Sequence, residues 1–172
     1  LPLVFIIHWL IPVRSRNAFL LLASYYFYFS YDPRFVPLWF ITSALDYWCA
    51  SKIRQRENKR IFLYISVCSN LAVLFAFKYF IFFYNSGMTI MGHPDKLLQN
   101  ILVPAGLSFY TFQSLSYVID AYRNKPSRGE GFYEFLLYVS FFPHMVAGPV
   151  VRYESLMPQL LSGRFFTGID WT

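Results

Sequence analysis

The sequence predicts an all-α fold: a polytopic transmembrane helix bundle in which some helices are broken or re-entrant. Three observations predict it. The 172 residues are 56% hydrophobic and only 14% charged, with a positive mean hydropathy. A soluble domain is about half apolar and a quarter charged. The apolar residues also come in blocks, and a bilayer-crossing helix needs roughly 17–25 of them. Finally, two of these blocks carry helix breakers, in VPAGLS and in FFPHMVAGPVVR.

The elements follow in order. Residues 1–11 read as the end of an apolar helix. Because the chain opens on Leu1 and stops at Trp171-Thr172 without a closing signal, it reads as part of a longer protein, one membrane domain over 1–172. Pro12 to Asn17 make a turn. A short span over 17–31 ends at the turn signal Asp32-Pro33. A second covers 34–51, and KIRQRENKR follows as a basic loop. Residues 61–84 form the longest uninterrupted span, apolar on every face, and GMTIMGHPDK is a polar loop after it. The last two spans cover 101–121 and 132–151. RYESLMPQLLSGRFF mixes charge with Leu, Met and Phe, so it is expected along the membrane interface.

Charge sets the orientation. Alternate loops hold Arg14 and Arg16; Lys52, Arg54, Arg56, Lys59 and Arg60; Arg123, Lys125 and Arg128. The other loops hold only Arg34 and Lys96, ten cations against two. The positive-inside rule therefore puts basic loops 12–16, 52–60 and 122–131 in the cytoplasm. The net charge of +6 is thereby explained as topology, and nucleic acid is set aside as a partner in favour of the lipid bilayer. Tyr25, Tyr26, Tyr28, Tyr31, Tyr79 and Tyr84 cluster at outer helix ends, where amphipathic rings favour the headgroup level. Lys78 is close enough to that level to snorkel. Cys49 and Cys68 have no disulfide framework or metal spacing and read as free, buried thiols.

Polar groups at depth mark the candidate site. Breakers inside a membrane free backbone groups, so they occur where protein or a water-filled cavity covers them. In VPAGLSFYTFQSLSYVIDAYR, Gly106, Tyr110, Gln113, Ser114, Tyr117 and Ala121 recur at spacings of three and four and share one helix face. That small, polar face suits a helix–helix contact, or one wall of an aqueous channel. In FFPHMVAGPVVR, His144 falls about 18 Å into a roughly 30 Å core if Phe132 begins the span. Pro143 removes an amide donor there, and Gly148-Pro149 repeats the break. His144 reads either as a ring bonded to a freed carbonyl or as a substrate or proton group. Arg152 reads as an interfacial anchor or as a cation for a carboxylate or phosphate. The candidate cavity-lining set is therefore Tyr110, Gln113, Ser114, Tyr117, His144 and Arg152. Asp46 and Asp120, near inner helix ends, are expected to pair with Lys or Arg from the basic loops, or else to belong to a site.

Three segments, FLLLASYYFYFSYDPRFVPLWFITSALDYWCA, VPAGLSFYTFQSLSYVIDAYR and FFPHMVAGPVVRYESLMPQL, together resemble the bacterial membrane-bound O-acyltransferases (MBOAT). The branch is the alginate O-acetyltransferase-like one. The resemblance implies the amino-terminal half of a multi-pass inner-membrane enzyme with a funnel through the bilayer. It implies acetyl-coenzyme A as acyl donor, no bound cofactor or metal, and a hydroxyl of an extracytoplasmic polysaccharide as acceptor. In some relatives a periplasmic or membrane partner acetyltransferase completes the transfer. The family's catalytic histidine aligns with no residue in 1–172, so no catalytic residue is expected here and the piece alone should be inactive. His144 does not inherit that role, and His8 and His93 match no family site. The competing reading is a secondary transporter or flippase, since those also break helices at the midplane.

Overall fold

The computed structural model describes residues 2–56, 58–91, 106–124, 131–141 and 151–161. Every regular element among them is helical, with no strand. In chain order they are α1 (Pro2–Leu10), α2 (Val13–Tyr31), a 3-10 turn (Pro33–Phe35) and α3 (Val36–Arg54). Next come α4 (Lys59–Leu74), a π-helical turn (Phe75–Phe80) and α5 (Ile81–Ile90). The last are α6 (Leu107–Tyr122), α7 (Phe132–Ser140) and α8 (Tyr153–Leu161).

Each boundary has a local cause. Pro12 precedes α2, where its fixed φ suits a helix start. Arg16, expected in a turn, sits in α2 and donates from Nε to the Ile11 carbonyl at 3.1 Å. A cation there satisfies carbonyls left over at the end of α1. Asp32 caps the 3-10 turn by accepting from the Arg34 amide at 3.0 Å. Its carboxylate also takes the Arg34 guanidinium, with Nη2 to Oδ2 at 2.7 Å. That hydrogen-bonded cation holds the Asp32 carboxyl below the usual carboxylate range. Gly106 opens α6 at φ 75°, a left-handed geometry that costs glycine nothing.

Several expectations need correction. Helix α3 does not stop at residue 51 but carries Lys52 and Arg54 in its last turn, favourable at a helix C-terminus. The run Lys59–Ile90 is helical throughout, past the expected end at 84, and a π-helical turn interrupts it. This run of 32 residues is long and apolar enough to cross a membrane. Tyr28 is not at a headgroup-facing surface: it is buried against Trp39, with ring centroids 4.0 Å apart. Cys49 is buried as expected, but Cys68 is exposed. Helix α8, expected along the membrane interface, also packs into the bundle. Tyr153, Leu156 and Met157 are buried in the main core.

The core forms where α3 packs on α4 and α6, and α4 packs on α6. Helix α7 packs on α2, α3, α6 and α8. Its joint with α6 and α8 is aromatic: Tyr117 lies 4.5 Å from Phe135 and 5.0 Å from Tyr153 between ring centroids. Such pairs add about 0.5–1.5 kcal/mol beyond the area they bury. Outward-facing Ile61, Tyr64, Ile65, Leu71, Phe82 and Phe83 leave one side of the long rod apolar.

Candidate functional site

The polar face of α6 is buried along its length, and each side chain is bonded to a different neighbour. The Tyr110 hydroxyl donates to the Trp39 carbonyl at 2.9 Å and lies 2.6 Å from Ser43 Oγ and 2.9 Å from Thr42 Oγ1. Gln113 Nε2 donates to the Tyr138 carbonyl at 2.7 Å. Ser114 Oγ donates to Asp46 Oδ2. The Tyr117 hydroxyl accepts from Arg54 Nη1 at 2.8 Å, and the guanidinium also stands 4.8 Å from its ring. Four predicted residues are thus brought together as one wall, bonded to α3 and α7.

At one place that wall closes around Asp46. Ser66 Oγ and Asn70 Nδ2 donate to Asp46 Oδ1 at 2.6 and 2.8 Å, and Asn70 Nδ2 also stands 2.9 Å from Oδ2. Asp46, Ser66, Asn70 and Ser114 are all buried. The expected Lys or Arg partner is replaced by two hydroxyls and a carboxamide. The depth explains the difference. Asp46 stands six residues before Lys52 and eight before Arg54 on α3, about 9 and 12 Å along the axis at 1.5 Å per residue, so the basic end of the helix is more than a turn away. Ser66 and Asn70 are four apart on α4, which puts both on the face toward α3. Asp120, by contrast, is half-buried near the end of α6.

At the other place the wall caps a helix that stops. Helix α7 ends at Ser140, and the last four carbonyls of a helix have no partner within it. Gln113 takes the Tyr138 carbonyl, and the Tyr28 hydroxyl takes that of Ser140 at 3.1 Å. Ser140 Oγ folds back on the Leu136 carbonyl at 2.6 Å. Side chains from α6 and α2 therefore do what another helical turn would have done. The Tyr138 hydroxyl then donates to the Val151 carbonyl at 2.9 Å. One α7 side chain thus ties down Val151, next to Arg152.

Arg152 is exposed just before α8, where its carbonyl accepts the Ser155 amide at 3.1 Å. His144, Pro143, Gly148, Pro149 and Pro104 lie outside the described residues. Sequence reasoning missed Tyr28, Ser66, Asn70 and Tyr138. The Ser66–Asn70 spacing in an apolar span was a usable signal, whereas Tyr28 and Tyr138 look like ordinary aromatic residues until their partners are known. Among the described residues, no group of three or more His, Cys, Asp or Glu side chains converges on one point.

The described residues form an all-helical bundle beside a rod, Lys59–Ile90, that is long and apolar enough to cross a membrane. No family model matches the chain, and no solved structure matches it. Curated relatives do. The chain is 37% identical over 167 residues to the probable alginate O-acetylase AlgI of Pseudomonas aeruginosa, covering 92% of this chain and 32% of that protein. It is 36% identical over 167 residues to the probable alginate O-acetylase AlgI of Pseudomonas syringae pv. tomato, with the same two coverages of 92% and 32%. The peptidoglycan O-acetyltransferase of Helicobacter pylori is 28% identical over 192 residues, 92% of this chain and 36% of its own. Over 92% of its length the chain is thus similar to alginate O-acetylases, the relatives that the membrane-bound O-acyltransferase resemblance implies. It spans about a third of the length of the curated relatives it matches.

Proposed function

We propose that the chain is part of a multi-pass O-acyltransferase of the bacterial inner membrane. The whole protein transfers acetyl groups to hydroxyls of an extracytoplasmic polysaccharide such as alginate. The observation that carries this reading is the identity with acetylating relatives across 92% of the chain. Acetyl-coenzyme A is the donor in this reading, a periplasmic or membrane acetyltransferase is its partner, and basic segments 12–16, 52–60 and 122–131 face the cytoplasm. Residues 1–172 form one membrane domain of it.

The chemistry fits the division of labour. Acyl transfer to a hydroxyl needs a base and donors for the oxyanion of the tetrahedral intermediate. In this reading neither comes from the described residues. Tyr110, Gln113, Ser114 and Tyr117 shape the wall of the path, and Arg152 and His144 line it beside the break after Ser140. The capped end of α7 supports that assignment, because side chains have been spent on the carbonyls where that helix stops.

The test is labelled acetate supplied to membranes that contain the full-length protein. Covalent, base-labile label on polysaccharide is the expected result. Substrate movement across the membrane with no new ester would overturn the reading in favour of a transporter.

A further inference from the structure

The basic end of the bundle holds a cleft away from the α6 wall. It has a volume of about 480 Å³ and is lined by Asn58, Lys59, Arg60, Ile61, Tyr122 and Asn124. Two separate turns build it: the one entering α4 and the one leaving α6. Both turns use an asparagine with positive φ, 30° at Asn58 and 54° at Asn124, a geometry that asparagine tolerates better than most residues. Lys59 Nζ donates to Asn124 Oδ1 at 2.6 Å across 65 residues of sequence. That bond ties a cation to the cleft and leaves an ammonium two further donors.

We infer that this cleft binds a phosphate group carried on a larger molecule. The lining supplies two cations and two carboxamides, and none of the six residues is acidic. Arg56 and Arg123, both exposed, flank it in the same two turns. Positive-inside bias accounts for the sign of this charge. It does not account for two distant turns meeting in a concave surface with the lysine tied down. The volume is in the usual range for a small-molecule site, roughly 300–1,000 Å³, and exceeds what an isolated phosphate ion would fill. Tyr122 and Ile61 provide apolar surface for the rest of such a ligand. A soluble nucleoside diphosphate and a phospholipid headgroup share this chemistry. Coenzyme A, the donor in the acyltransferase reading, carries such a phosphate group too, but the inference is read by binding and not by acyl transfer, so either can fail while the other holds.

The experiment uses the full-length protein in phosphatidylcholine nanodiscs, with ADP as the soluble probe and phosphatidylglycerol as the lipid probe. ADP binding is followed by titration calorimetry in wild type, Lys59→Gln and Lys52→Gln. The expected result is that Lys59→Gln weakens ADP about tenfold, the usual scale for one charge-assisted contact. Lys52→Gln removes the same charge outside the cleft and leaves binding within about twofold. If phosphatidylglycerol in the disc displaces ADP, the headgroup is the resident ligand; if it does not, the ligand is soluble. No binding of ADP and no effect of Lys59→Gln on phosphatidylglycerol retention overturns the inference. Equal losses in Lys59→Gln and Lys52→Gln would also overturn it, leaving diffuse surface charge as the cause.

Discussion

Two aspartates in this chain handle their charge in opposite ways. Asp32 stands at a turn with the Arg34 guanidinium against it, and that arginine is 73% exposed. Asp46 stands mid-helix, fully buried, with Ser66, Asn70 and Ser114 as donors. At a surface a long cation reaches a carboxyl easily, but water and salt discount the pair. At depth a cation brings its own desolvation cost, so short neutral donors are the better solution. The same contrast runs through the α6 wall. Around Asp46 it binds side chain to side chain and locks three helices in register. At the end of α7 it binds side chain to backbone and lets a helix stop.

The sharpest way to break this comparison is at Asp46. Asp46→Ala leaves three buried donors facing a gap, with an expected loss of about 3 kcal/mol or more. Unfolding of the full-length protein in detergent measures it. Asp46→Asn keeps the shape and one acceptor and should cost roughly half as much. A loss below about 0.5 kcal/mol in Asp46→Ala would mean the junction is held by packing alone.

Next in size is the cap. Gln113→Ala strips the donor from the Tyr138 carbonyl inside the bundle, for about 1–3 kcal/mol. Acetyl transfer by the full-length enzyme should fall at least tenfold per folded molecule, because small displacements near reacting groups are costly. Unchanged transfer would remove Gln113 from the working path.

The smallest effect belongs to Asp32. Its carboxyl titrates below the usual value because Arg34 bonds the charged form. A depressed folded-state value means the stabilisation is present above the unfolded carboxyl value, near about 3.9. It is lost as pH falls through the lower folded value. Arg34→Gln should flatten that acid limb by removing a small stabilisation at neutral pH, and leave stability below the folded carboxyl value nearly unchanged. Equal acid sensitivity in wild type and Arg34→Gln would separate the turn from acid unfolding.

Much of this was legible in the sequence. Breakers, apolar blocks and cation placement pointed to helices, and the i, i+3 and i+4 run on α6 picked out residues that share one buried wall. Helix ends were harder, since Val13, Arg54 and Ile90 continue helices through residues of mixed polarity. Asp46 was misread because its depth depends on where α3 ends, and because neutral donors on another helix carry no charge signal. Tyr28 was misread because an aromatic residue at a helix end suits a headgroup zone and a buried cap equally well. Only the carbonyls left by the end of α7 decide between them.

The most direct test of the account is acetyl transfer by the full-length Tyr138→Phe enzyme. This variant keeps the ring among Tyr117 and Tyr153 and removes only the hydroxyl that holds the Val151 carbonyl. Folded protein should remain within about 1 kcal/mol of wild type, while ester formation on the polysaccharide drops about tenfold or more. Wild-type transfer by Tyr138→Phe would show that the tie from α7 to Val151 is a packing detail, and the link between the capped helix and acetylation would fail.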